Sequence, residues 1–274
     1  MAKQKKDLEP ITGDGRSFFR EIQIEFLIHE LKDPIAIIEA GARTLLEKKE
    51  KYGVLTPRQE KTLARVLRNT KKTQEMLQDL LEIGRSEAGS FICCRFQAAR
   101  VIYDVLLQAL ETKAAGIYEA TRELGQEFEV LEFLCRQGIV LYVDPQIIFT
   151  EIYQDEIKFR QIVANLIKNA LHYRKNRLEI KVSKSRDSLY VDISDDGPGI
   201  APEHHQIIFQ RYTQLQACST LSRHSHGLGL AGAMILARCL GGDIEIVSRK
   251  GNGATFRLVI PLSMKESTEK PVNA

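Results

Sequence analysis

The sequence has no apolar run long enough to cross a bilayer. Its longest, such as Gly138 to Val143, fall far short of the roughly 20 residues that a spanning helix needs. It also lacks the apolar core of a signal peptide near its start. The expectation is a cytoplasmic protein, reached by its stimulus in the cytoplasm or through a segment not present in this chain. The five cysteines, Cys93, Cys94, Cys135, Cys218 and Cys239, form no CxxC pair and no Cys/His metal spacing. That argues against zinc and for reduced, mostly packed thiols. Charge of one sign is lacking too: 39 Lys and Arg against 36 Asp and Glu give +3, with both signs dispersed, so no nucleic-acid surface is expected. What remains is a soluble globular composition, 43% hydrophobic and 27% charged over 274 residues, enough for one large domain or two ordinary ones.

Residues 1–17, with a Lys3 to Lys6 cluster, read as a solvated tail. From Phe18 to about Glu50, apolar residues recur at Ile24, Leu27, Leu31, Ile35, Ile38, Ala42 and Leu45, three and four apart, which predicts one amphipathic helix. After a connection at Lys51 to Leu55, Thr56 offers an N-cap, Pro57 suits the first helical position and Gln59 completes a capping box. A second helix then runs to Gly84 with its stripe at Leu63, Val66, Thr70, Thr73, Leu77 and Leu80. Such a hairpin cannot cover both stripes alone, and pairing with a second copy gives a four-helix bundle. A homodimer is therefore expected.

Arg85 to Ser90 reads as a hinge, which divides the chain into a helical region, 18–88, and an α/β region, 89–264, before a polar tail, 265–274, expected to be disordered. In the second region helical patterns at Arg100 to Glu111 and Lys158 to Tyr173 alternate with strand patterns at Leu178 to Val182, Leu189 to Ser194, Ile244 to Val247 and Ala254 to Ile260. Leu189, Val191 and Ile193 share one apolar face, so a sheet covered by helices on one side is expected. Thr112 to about Ile157 yields no clear pattern. The fold class is thus α plus α/β: a hairpin forming a dimeric bundle, then an α/β sandwich with a mixed sheet.

Three short motifs follow in order. Asn165 and Asn169 are four apart, so both carboxamides share one helix face, where an amide oxygen suits a Mg²⁺ that bridges phosphates. Asp195-Asp196-Gly197-Pro198-Gly199-Ile200 follows an alternating strand. A carboxylate there can accept from an exocyclic amine such as adenine N6, while glycines admit a flat base. Gly227-Leu228-Gly229-Leu230 opens a helical stretch to Leu240, where free N–H groups and the helix dipole suit phosphate oxygens. Each segment alone has an ordinary alternative: two exposed asparagines, an Asp-Gly turn, a flexible loop. Their joint order points to ATP.

At this point the second half resembles the ATP-binding domain of two-component sensor histidine kinases, within the superfamily that includes gyrase, mismatch-repair ATPases and ATP-dependent chaperones. The matching stretches are an N box (Lys158, then Asn165 to Tyr173, including His172), a G1 box (Asp195 to Ile200), an F box (Ile208-Phe209-Gln210-Arg211-Tyr212), a G2 box (Gly227 to Leu230) and a closing Gly251-Asn252-Gly253-Ala254-Thr255-Phe256. The first half resembles that family's dimerisation and phosphoacceptor hairpin through His29-Glu30-Leu31-Lys32-Asp33-Pro34. The resemblance covers roughly residues 18 to 262. It implies Asp195 on adenine, Thr255 supporting the pocket through water, and Asn169 on Mg²⁺. Asn165 stands where gyrase-like relatives carry a hydrolytic glutamate, and an asparagine cannot serve as that base. It further implies that His29 receives the γ-phosphoryl group, Glu30 takes the ring proton or fixes the tautomer, and an aspartate of a separate response regulator receiver domain is the final acceptor.

Pro34 inside the helix predicts a bend just after His29. Three positions depart from the family pattern: Asp33 where Thr or Asn is common, which disfavours phosphatase activity; His172 in place of a lysine; and Ser225-His226 ahead of Gly227. Thr213 to His226, near Arg211 and Arg223, is the expected ATP lid. A degenerate phosphotransfer scaffold and a gyrase-like conformational ATPase stand as alternatives to the kinase.

Overall fold

A computed structural model describes residues 13–87, 91–209 and 229–263. The chain falls into two compact units, Met1–Ser90 and Phe91–Ala274. Both tails beyond residues 13 and 263 lie outside the described residues, as do 88–90 in the expected hinge.

In the first unit α1 spans Gly13–Glu47. It begins ahead of the expected Phe18, so residues 13–17 are helical rather than tail. No proline interrupts them, and a nucleated helix extends at little cost. The helical assignment continues through Pro34. A single turn, α2 (Lys49–Tyr52), leads to α3 (Pro57–Glu87). The start of α3 is held by a capping box: the Thr56 N–H donates to Gln59 Oε1 at 2.8 Å and the Gln59 N–H to Thr56 Oγ1 at 3.4 Å.

The two long helices pack on each other through Ile28, Leu77 and Leu81, with Ile35 against them. Ala42 and Thr70 are buried farther along, and the Thr70 hydroxyl donates back to the Val66 carbonyl at 2.9 Å. This contact uses only part of the α1 stripe. Leu31 stays 48% exposed, Ile38 53% and Leu45 36%, at seven-residue intervals that make a second, uncovered seam.

In the second unit β1 (Cys93–Gln97) pairs antiparallel with β3 (Glu151–Asp155) as a small separate sheet. Between them lie α4 (Ala98–Lys113), α5 (Ala115–Arg122), α6 (Glu127–Arg136) and β2 (Ile139–Val143). Helix α4 matches the helical pattern expected at Arg100 to Glu111, whereas α5, α6, β2 and β3 are the elements of the stretch that gave no sequence pattern. After α7 (Glu156–Tyr173) come β4 (Leu178–Ser185), β5 (Ser188–Asp195), α8 (Gly229–Cys239), β6 (Asp243–Ser248) and β7 (Ala254–Pro261). The main sheet has the order β2-β4-β5-β7-β6, parallel only between β2 and β4.

Its inner face is apolar between the strand ends, where Lys184 and Asp195 lie: Ile180, Val182, Leu189, Val191, Ile193, Phe256, Leu258 and Ile260 are fully buried. Helices α7 and α8 pack on that face, with α4 against α7. Each such side chain contributes about 1.5–3 kcal/mol relative to exposure, so the periods of α7 and of the strands together fix which face is in. The outer face is left to water. There one cross-strand row reads Tyr142, Lys181, Asp192, Arg257, Glu245, with Arg257 donating to both Asp192 oxygens at 2.7 and 2.9 Å. Alternating charge keeps that face soluble and in register.

Candidate functional site

The C-terminal half of α7, the end of β5 and the start of α8 supply the residues singled out in the second unit. Helix α7 is N-capped by Asp155, whose carboxylate accepts from the Lys158 N–H at 3.1 Å. Farther along, Asn165 and Asn169 emerge half-buried, one turn apart. The Asn165 amide oxygen lies 3.5 Å from the place where a Cβ on Gly229 would stand. Packing of α7 on α8 therefore brings the first and third motifs together, with Gly229 and Leu230 at the first turn of α8.

The second motif closes the other end. Asp195 ends β5, where its carboxylate accepts from the Gly197 N–H at 2.9 Å. Gly197 is required by close approach: a Cβ would stand 2.5 Å from the Tyr173 carbonyl oxygen and 2.6 Å from Asp195 Oδ1. Gly199 sits at φ +66° with the Arg249 carbonyl oxygen where a side chain would be, so both the angle and the space select glycine. Ile200 donates to Ser248 Oγ at 2.8 Å, and Ser248 Oγ donates to the Gly253 carbonyl at 2.6 Å. The His205 ring donates from Nε2 to the Ile200 carbonyl at 3.2 Å.

Burial pushes the Asp195 carboxyl above the usual aspartate range; N–H donors from Gly197 and Ala254 oppose the shift, and the Asp196 charge adds to it. Thr255 stands opposite Ser194 across the β5–β7 pair, with the two hydroxyl oxygens 2.8 Å apart. Phe209 meets Phe256 edge to face at 6.3 Å and packs on the core. His172 is exposed and stacks edge-on with Tyr173 at 4.7 Å.

Lys158 is not gathered with these residues. It stands two turns before Asn165, about 10 Å along the axis, and is buried. Its Nζ donates to Asp155 Oδ2 at 2.7 Å and lies 5.0 Å from the centre of the Phe91 ring. Burial pushes the Asp155 carboxyl up, but Lys158 and the Ile92 and Lys158 backbone donors outweigh this and hold it below the usual range. The helix period could not show this, because Lys158 shares the Asn165–Asn169 face, and only its distance along the axis and its burial against a partner three residues back set it apart. His29 and Glu30 are on α1 of the first unit, Glu30 exposed. Gln210 to Leu228, which includes Arg211, Gly227, Leu228 and the expected lid, lie outside the described residues.

Asp196 and Ser248 also tie the motif loops and were not singled out from the sequence. Asp196 adjoins Asp195, but its partners are remote in sequence. Among the described residues no group of three His, Cys, Asp or Glu could hold a metal, and no helix is long and apolar enough to cross a membrane. A Mg²⁺ held by Asn169 would take its remaining ligands from phosphates and water, which suits its preference.

Residues 20–89 match the His Kinase A (phospho-acceptor) domain, and residues 154–264 match the histidine kinase-, DNA gyrase B- and HSP90-like ATPase family. Sensor protein SrrB of Staphylococcus aureus is 28% identical over 240 residues, which is 85% of this chain and 36% of that protein. The chain thus spans about a third of the length of the curated relatives it matches. In fold it is similar to full-length ShkA, solved in complex with AMPPNP, with a TM-score of 0.65 at 21% identity over 88% of this chain and 46% of that one. It is also similar to the Acinetobacter baumannii histidine kinase AdeS, with a TM-score of 0.53 at 21% identity over 87% of this chain and 98% of that one. With a phosphoacceptor region followed by an ATPase region of this type, the chain belongs to the sensor histidine kinases of two-component systems.

Proposed function

We propose that the protein is an ATP-dependent protein-histidine kinase that phosphorylates its own His29 and passes the phosphoryl group to an aspartate on a response regulator, acting as a homodimer. The neutral imidazole of His29 attacks the γ-phosphorus; the new N–P bond forms as the bond to the bridging oxygen of ADP breaks. Glu30, next to it in sequence, takes the ring proton. The adenine amine donates to Asp195, Thr255 holds a water beside it, and Gly197, Gly199 and Ile200 border the base with Tyr173 and Phe209. N–H groups at Gly227 to Leu230, with Arg211 and His172, meet the phosphates. Mg²⁺ on Asn169 neutralises phosphate charge when bound. Asn165 has no basic group for activating water, which favours transfer to a side chain over hydrolysis. Lys158 serves the fold of α7 and not the nucleotide.

The observation that carries this reading is the meeting of the Asn165 amide with Gly229 on the helix that leads to Tyr173 and the Gly197 loop. It gives three separated motifs one wall. Incubation with γ-labelled ATP and Mg²⁺ is expected to leave acid-labile, alkali-stable label on the protein, absent in His29→Gln while nucleotide still binds. Label on another residue of that variant overturns the acceptor. Release of free phosphate alone indicates a conformational ATPase, and neither outcome leaves a scaffold.

A further inference from the structure

The Asp195 to Ile200 loop is fastened on two sides. Toward the β6–β7 connection, the Gly253 N–H donates to the Gly197 carbonyl at 3.1 Å and the Gly251 N–H to the Pro198 carbonyl at 2.6 Å. Toward α7 the loop is fastened by one residue, chiefly through its side chain. Asp196 Oδ1 accepts from the Lys175 N–H at 2.8 Å and the Asn176 N–H at 3.1 Å, and Oδ2 accepts from the Asn176 N–H at 3.0 Å. The Asp196 N–H in turn donates to the Arg177 carbonyl at 3.3 Å. These donors belong to the turn that immediately follows Tyr173, and the Tyr173 carbonyl is the atom against which Gly197 is packed. Burial raises the Asp196 carboxyl, and the backbone donors of Arg177, Asn176 and Lys175 outweigh it and hold the group below the usual aspartate range.

A charged acceptor bonded to successive backbone N–H groups is a strong and directional tie. We propose that Asp196 is a positioning residue for nucleotide binding: its carboxylate locks the turn after α7 to the end of β5, which holds Asn169 and Tyr173 in register with Asp195. Without the tie the turn after α7 is held to β5 only by the Asp196–Arg177 backbone bond and the β4–β5 pairing, and binding must order what the carboxylate no longer fixes. Catalysis on nucleotide already bound is untouched, because Asp196 faces backbone N–H groups and not the reacting atoms. This role rests on the ATP reading above.

The test uses the full chain and a non-hydrolysable ATP analogue with Mg²⁺, by calorimetry, beside the ATP dependence of His29 labelling. Asp196→Ala is expected to raise the analogue Kd and the KM for ATP about tenfold, with the labelling rate at saturation within about twofold of wild type. Asp196→Asn keeps an acceptor oxygen toward the same N–H groups and is expected to recover most of the affinity. Should Asp196→Ala fail to fold, Asp196→Ser, too short to bridge the turn, is read in its place. An alanine or serine variant that binds as tightly as wild type overturns the role, as does a fall in the saturated rate with KM unchanged, or an asparagine variant as weak as alanine. Wild-type protein that binds no nucleotide overturns the underlying reading and this role with it.

Discussion

At Asp195 stability and function pull apart. Its folded-state pKa is raised, chiefly by burial, so its contribution to stability is fully present below the unfolded value of about 3.9 and is lost as pH rises through the folded value. At neutral pH the ionised group is a cost, carried for the sake of an acceptor in the pocket. Asp195→Asn is therefore expected to unfold at or above the wild-type temperature at pH 7 by calorimetry, yet to lose nucleotide affinity by at least about a hundredfold, or about 2.7 kcal/mol. In the wild type, affinity should fall on acidification at a higher pH than an ordinary aspartate would give. A lower melting temperature together with unchanged affinity contradicts both halves. Gly197 gives a steric counterpart, since a methyl there meets the Tyr173 main-chain oxygen, which cannot yield as a side chain can, as well as the Asp195 carboxylate. Gly197→Ala is expected to cost about 1–3 kcal/mol of stability in urea titration and to weaken nucleotide binding with it.

Helix α7 has two ends with different duties. Its first turn carries the Asp155–Lys158 pair, 1% and 4% exposed, which also receives the Ile92 N–H at 3.0 Å and so anchors the strand entering the unit. Lys158→Met strands the Asp155 charge and is expected to cost about 3–5 kcal/mol in denaturant titration, whereas Asp155→Leu with Lys158→Met returns most of it. The lowered Asp155 pKa adds stability above the unfolded value that is lost as pH falls through the folded one. The double variant should accordingly be less sensitive than wild type to acidification below about pH 4. Nucleotide affinity of the folded double variant is expected to match wild type, and a large loss would return Lys158 to the site. The period that exposes Asn165 and Asn169 on one face was legible because packing on β5 and α8 enforces it over eighteen residues. So was the alternation of Leu189, Val191 and Ile193. Residues 112–157 were not, for physical reasons: β2 and β3 have five residues each, too few for a period to stand out. The partner of β3 is β1, far back in the chain, so nothing local marks β3. For the site, the sequence supplied Asp195 and the glycines, but the Asp196 tie to residues 175–176 exists only once β5 and α7 have been brought side by side.

At the scale of the whole molecule, the seam of Leu31, Ile38 and Leu45 decides the assembly. About half of each side chain remains open to water, so burying the rest gains on the order of 0.7–1.5 kcal/mol apiece. Six such residues from two protomers give about 4–9 kcal/mol. Association costs roughly 4–15 kcal/mol, so the described seam alone balances only the lower part of that range. A stable dimer must therefore use the seam in full and draw on further contacts along the bundle, which leaves little tolerance for a charge placed in it. Leu31→Glu with Ile38→Glu is expected to convert a dimer to a monomer by light scattering at micromolar concentration. The far-ultraviolet helix signal should persist, because Ile28, Leu77 and Leu81 still pair α1 with α3 within one chain. Wild-type protein that is monomeric at that concentration removes the dimer from the proposal. A double variant that remains dimeric moves the interface off this seam, and the exposed heptad positions would then need another occupant.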